Sequence, residues 1–217
     1  MSSQLIDLFI DAFIETLIMV GVSGLIGVVF GLPMGVLLHL TDRKGVMPIL
    51  SLNRTIALVV NSVRSTPFII LLVAIIPFTR LVVGTSIGTP AAIVPLSIAA
   101  IPFMARLVET SLREVDRGLI EAAQSMGATN WQVISKVLVP EALPGIIAGL
   151  TILLISLVGY SAMAGAVGGG GLGDLGIRYG YQRFLPEVML VVVLILIVFV
   201  QLLQTLGDTL VRRLNHK

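Results

Sequence analysis

Long apolar runs separated by short polar breaks dominate the chain. Five of them, at about residues 14–40, 56–80, 87–107, 142–165 and 186–209, approach the roughly 20 residues that a helix needs to cross a bilayer. A segment apolar on every side has no face to offer water, so the pattern predicts membrane-spanning helices rather than amphipathic helices around a soluble core. The exception is the stretch Glu121 to Pro140, EAAQSMGATNWQVISKVLVP, which is polar and amphipathic. Gly127 suits the left-handed backbone that ends a helix, and Thr129 followed by Gln132 has the spacing of a capping box. Two short helices are therefore expected to meet at Gly127. The apolar face of the second, Trp131, Val133, Ile134 and Val137, is expected to meet protein, which implies a partner.

Composition agrees with this reading. Of 217 residues, 56% are hydrophobic and only 12% charged, too few charges to cover a water-facing surface. The expected fold class is an all-α membrane protein, one domain over 1–217, with no soluble domain, linker or internal repeat. The N-terminus lacks a basic region and carries Asp7, Asp11 and Glu15, so it does not read as a cleavable signal and the first span should remain. Cysteine is absent. His39 and His216 stand far apart with no ligand set, so no metal site is expected. The spans hold no paired carboxylates, histidine cluster or nucleophile–base set, which argues against an enzyme. The basic residues follow loops rather than one face, so nucleic-acid binding has no support.

Their placement predicts orientation. Eleven of the 14 Lys and Arg residues fall on one side of the five spans: Arg43, Lys44, Arg54, Arg64, Arg106, Arg113, Arg117, Lys136, Arg212, Arg213 and Lys217. Arg80, Arg178 and Arg183 are left for the other. By the positive-inside rule the N-terminus is outside, the C-terminus is cytoplasmic, and the Glu121–Pro140 element lies in the cytoplasm.

Several motifs sit within the spans. Gly27, Gly31 and Gly35 recur every four residues and form a stripe for close helix packing, with Pro33 expected to bend the helix. Arg64-Ser65-Thr66-Pro67 precedes the run Phe68 to Ile76; Arg64 there either snorkels to the interface or has a conformational role. Pro90, Pro95 and Pro102 predict an irregular third helix, suited either to a cavity wall or to packing alone. The fourth span ends in a glycine-rich string that should loosen the helix from about Gly159 onward, which makes Tyr160, Ser161 and Met163 candidates for a translocation path or gate. The four glycines 168–171 lack the lysine and strand of a phosphate-binding loop. Glu15 reads as interfacial, with no buried partner evident. Asp174, Arg178 and Arg183 are expected in an outer loop, solvated or facing an external protein.

The Glu121–Pro140 segment resembles the EAA loop of ABC-importer permeases: Glu121, Ala122, Ala123, Gly127 and Pro140 match at the right spacing, while Val137 and Val139 replace Ile and Leu. Over roughly residues 12 to 210 the chain resembles the permease subunit of methionine ABC importers, through RSTPFIILL (64–72), IPFTR (76–80), VVGTSIG (82–88) and above all SLVGYSAMAGAVGGGGLGDLGIRYGY (156–181). That resemblance implies a cytoplasmic coupling helix between the third and fourth spans, within about residues 110–140. Glu121, Ala122, Ala123, Met126, Gly127, Ala128, Trp131 and Pro140 would couple the chain to an ATPase. Arg64 and Pro67 join the path candidates, since Arg-x-x-Pro stands here in many importers of amino acids. It also implies two ATPase subunits that carry ATP and Mg, a second permease copy, an external binding protein, surrounding lipid, a bacterial inner membrane, and transport by alternating access with no bond chemistry on this chain. An importer of another amino-acid-like solute, or an ion-coupled secondary transporter, are the alternatives; the latter would want inverted repeats and embedded acids, and five spans do not halve.

Overall fold

The computed structural model describes residues 3–43 and 45–214; Lys44, His216 and Lys217, named above, lie outside the described residues. Every regular element among the described residues is helical, and four helices are each long and apolar enough to cross a membrane. The first, α1 (Ser3–Thr41), is 39 residues long and starts well before the apolar run at residue 14. Asp7, Asp11 and Glu15 recur every fourth residue and share one helical face, which leaves the other positions of this first stretch to apolar residues such as the buried Phe9 and Ala12. Pro33 lies inside α1 without interrupting it.

The second run, expected as one span over about 56–80, is broken. It forms α2 (Leu50–Ser65), α3 (Phe68–Ala74) and α4 (Ile76–Val83), and the chain turns by 102° between α2 and α3. The cause lies in Thr66-Pro67. Proline has no N–H to give a helix, and its ring drives the preceding residue out of the helical region. Thr66 accordingly sits at φ −85°, ψ 124° and Pro67 at φ −56°, ψ 134°. Taken together, α2 and α3 supply the fifth apolar segment of spanning length.

α5 (Thr89–Arg113) is one unbroken helix with Pro95 and Pro102 buried inside it, so the irregularity expected from its prolines is not found. Pro90 stands in the first turn, where a missing N–H costs nothing. The rest of α5 is held by α1, which presents glycine to it on successive turns. A β-carbon on Gly27 would stand 2.8 Å from that of Ala100, and one on Gly31 would stand 2.6 Å from the Ile101 carbonyl oxygen. Lipid tails are as apolar as leucine, so helices in a bilayer gain by close backbone contact, which only small residues permit.

α6 (Arg117–Ser125), α7 (Asn130–Val133), a π-helical turn (Ile134–Leu138) and α8 (Val139–Ala166) follow; from Asn130 to Ala166 the helical run is 37 residues. α9 (Gly171–Leu175), a second π-helical turn (Gly176–Tyr181) and α10 (Pro186–Leu214) complete the order. Leu96 and Met104 of α5 and Leu153 and Leu157 of α8 are fully buried with Met19 of α1 at the centre of the bundle. α10 leaves Leu190, Leu194, Ile197, Leu202 and Leu206 exposed, an apolar face suited to lipid.

Gly159 does not loosen α8, which stays helical to Ala166. The glycines beyond it serve close approach instead. A β-carbon on Gly173 would stand 2.5 Å from the Ala162 α-carbon, so α9 folds back against the last turns of α8. Asp174 and Arg178 accordingly lie on helical turns rather than in a loop, paired at 2.7 Å.

Candidate coupling element and translocation path

The Asp116 carboxylate starts α6 by accepting from the Gly118 N–H at 2.6 Å. Beyond Met126, Gly127 has φ +81°, and a side chain there would meet nothing within 4 Å. Backbone handedness, not crowding, therefore calls for glycine at 127. Both bonds of the capping box are present: the Gln132 N–H donates to Thr129 Oγ1 at 3.3 Å and the Thr129 N–H to Gln132 Oε1 at 2.9 Å. Two short helices meet at Gly127 as the spacing predicts.

The elbow has a buried side and an exposed side. Ala123 and Val133 are buried, and Ala128, Ile134 and Val137 pack against the core. Three of the four residues expected to face a partner thus cover this chain's own helices. Amphipathicity shows that a face is buried, not against which chain. Trp131 is the fourth, and it remains 73% exposed; Met126 is 82% exposed. Glu121 and Ala122 are exposed, and Glu121 lines a cleft of about 270 Å³ with His39, Val46, Arg117 and Gln124. Pro140 is exposed in the first turn of α8. Two large apolar side chains standing free on a polar elbow fit a protein contact better than a solvated surface.

The bend at Pro67 brings α3 under α8. The Phe68 and Tyr160 rings stack with centroids 4.7 Å apart and planes 8° from parallel. One helix earlier, the Arg64 guanidinium stands 5.9 Å from the centre of the Phe103 ring on α5. Ser161 is turned away from this surface: it is buried, and its hydroxyl donates to the Val158 carbonyl at 2.8 Å. Met163 is exposed. On an intact helix Tyr160 and Met163, three residues apart, share a side, and Ser161 points away from it.

Two polar clusters escaped the sequence reading. Glu109 is buried and paired with Arg106 at 2.5 Å and Arg113 at 2.6 Å. Arg106 also donates to Asn61 Oδ1 on α2 at 2.6 Å, and Arg113 lies 3.6 Å from Asp42 beyond α1. The signal was available, because Arg106, Glu109 and Arg113 fall at helical i, i+3, i+7 spacing. At the other end of the bundle Glu15 finds the partner not evident from sequence: the Gly171 N–H donates to its Oε2 at 2.6 Å, and the Leu172 N–H donates to Thr16 Oγ1 at 2.9 Å. No local pattern points across that distance. Nearby, the Arg183 guanidinium stands 4.3 Å from the centre of the Tyr179 ring.

Residues 27–217 match the family model described as binding-protein-dependent transport system inner membrane component. The chain is 58% identical over 211 residues to a probable D-methionine transport system permease protein MetI of Vibrio cholerae, covering 97% of this chain and 94% of that one. It is 55% identical over 165 residues to the D-methionine transport system permease protein MetI of Escherichia coli K12, covering 76% of each. Among solved structures, an inward-facing conformation of the MetNI methionine ABC transporter matches with a TM-score of 0.97 at 52% identity, covering all of both chains. An amino acid ABC transporter crystallised with histidines shares the fold, with a TM-score of 0.81 at 23% identity over 97% of this chain and 95% of that one. The chain belongs to the binding-protein-dependent transport system inner membrane component family.

Proposed function

We propose that this chain is the permease subunit of an ATP-driven importer for methionine. The carrying observation is near-full-length similarity to D-methionine permeases, together with an elbow at Gly127 that leaves Met126 and Trp131 exposed. Two copies of the chain assemble with two ATPase subunits, which hold the ATP and Mg. A binding protein on the outer side delivers the substrate, and lipid surrounds the apolar faces. The N-terminus is outside and the C-terminus cytoplasmic, in a bacterial inner membrane.

In this reading ATP closes the ATPase pair and draws the two elbows together. The elbow continues through α7 and its π-helical turn into α8, 37 residues in all, roughly 55 Å at about 1.5 Å per residue. A stiff helix of that length carries a displacement at Trp131 to Met163 near its far end. Glu109, held between Arg106 and Arg113 and linked to Asn61 and Asp42, keeps α5, α2 and the turn after α1 moving as a unit. Free energy for opening comes from the tighter binding of ATP to the closed state. Arg64, Pro67, Tyr160 and Met163 line or gate the path, and Ser161 supports α8 from behind.

The test is ATP-dependent uptake of labelled methionine by cells lacking their own high-affinity system, supplied with this chain, its ATPase and its binding protein. Uptake that requires all three supports the reading. An assembled, ATP-hydrolysing complex that moves no methionine discards the substrate and keeps the importer.

A further inference from the structure

The turn at Gly168–Gly171 begins just beyond Met163 and is held from three directions. The Gly169 N–H donates to the Ala164 carbonyl of α8 at 2.9 Å, and the Gly88 N–H, just before α5, donates to the Gly168 carbonyl at 2.8 Å. Any sequence could make those two backbone bonds. The third hold is specific, because Glu15 and Thr16 of α1 accept the N–H groups of Gly171 and Leu172. A carboxylate in a membrane-spanning helix is costly unless it is bonded, so its position here calls for a reason. The turn is also cut to fit it. A β-carbon on Gly170 would stand 2.7 Å from Glu15 Oε2, one on Gly171 would stand 2.7 Å from Thr16 Oγ1, and both glycines have positive φ. Thr16 is itself set by donating to the Ala12 carbonyl at 3.0 Å.

We propose that Glu15, with Thr16, is a positioning residue that locks the outer end of α8 to α1 while the transporter faces inward. This inference rests on the alternating-access reading above. The fold matches a relative solved in an inward-facing conformation, and under alternating access that state is closed at its outer end. Under this proposal, opening that end parts α8 and its glycine turn from α1 at the Glu15–Gly171 and Thr16–Leu172 bonds. The lock therefore weights the equilibrium toward the inward-facing state, and a missing lock releases it toward the state in which the ATPases close.

The experiment measures ATP hydrolysis per assembled complex in lipid nanodiscs without binding protein. Glu15→Ala should raise this basal rate about fivefold, while Glu15→Gln, which keeps an oxygen acceptor, should stay within about twofold of the parent. Thr16→Val should raise it in the same direction and carries the test if Glu15→Ala fails to assemble. A purely structural role would lower the yield of complex and leave the rate per complex unchanged; that result overturns the lock. Gly127→Asp, assayed for uptake beside it, separates the two failures. If it abolishes uptake while Glu15→Ala hydrolyses ATP at the parental rate, only the lock is wrong; if it transports normally, the coupling reading fails and the lock falls with it.

Discussion

The Phe68 ring lies flat against that of Tyr160, so the first turn of α3 after the Pro67 break is clamped to the C-terminal part of α8. The break and the stack meet at one place, because Phe68 is the first residue of α3 after Pro67. Tyr160→Phe keeps the stacked faces and is expected to transport as the parent does. Tyr160→Ala loses the pair, about 1 kcal/mol beyond the buried area. Its uptake should fall further than its ATP hydrolysis, measured on the same preparation.

Gly31 and Gly21 lie on one helix yet should respond oppositely to alanine. A β-carbon at Gly31 runs into the backbone of α5, whereas at Gly21 it meets nothing within 4 Å. Gly31→Ala should destabilise the purified permease by about 2 kcal/mol or more through overpacking. Gly21→Ala should be neutral or stabilise by up to about 1 kcal/mol, since alanine is the better helix former. Denaturant titration in detergent reads both.

Removing the Glu109 carboxylate leaves the Arg106 guanidinium without its buried partner. Glu109→Ala should cost about 1–2 kcal/mol, less than breaking a fully buried pair, because the Arg106 and Arg113 side chains it strands are 25% and 54% exposed. The double variant Arg106→Met with Glu109→Leu should recover much of that loss, since it leaves neither charge behind. A double-mutant cycle on unfolding midpoints tests this; equal losses in the single and double variants would deny the pair its role.

Open space around Gly127 separates folding from coupling. Gly127→Asp meets no neighbour, so its cost is the left-handed backbone, about 1 kcal/mol, and aspartate tolerates that region better than most residues. The variant should therefore fold and reach the membrane while uptake is abolished. Uptake near the parental rate would show that the elbow does not couple.

Met126 and Trp131 make few contacts within the chain. Trp131→Ala should leave the thermal stability of the isolated permease within about 0.5 kcal/mol, as for other exposed sites. Its affinity for the ATPase subunit should fall at least about tenfold, the usual scale for a central aromatic at an interface. Titration of purified ATPase onto nanodisc-held permease reads the difference.

Much of this protein follows from short-range pattern alone. Apolar runs near bilayer length dictate helices because no other backbone satisfies its own hydrogen bonds in lipid. Likewise, Gly127, Thr129 and Gln132 act within one helical turn, so the elbow and its capping box are readable as local chemistry. Tertiary structure alone decided the rest. A proline can be absorbed, as at Pro95, or can break a span, as at Pro67, and the choice depends on what packs alongside. Whether Val133 faces a partner or this chain's own core is equally invisible to amphipathicity, which records burial without naming the neighbour. The grip of Glu15 on Gly171 joins residues 156 positions apart, and only the folding of α9 against α1 brings that carboxylate to those N–H groups.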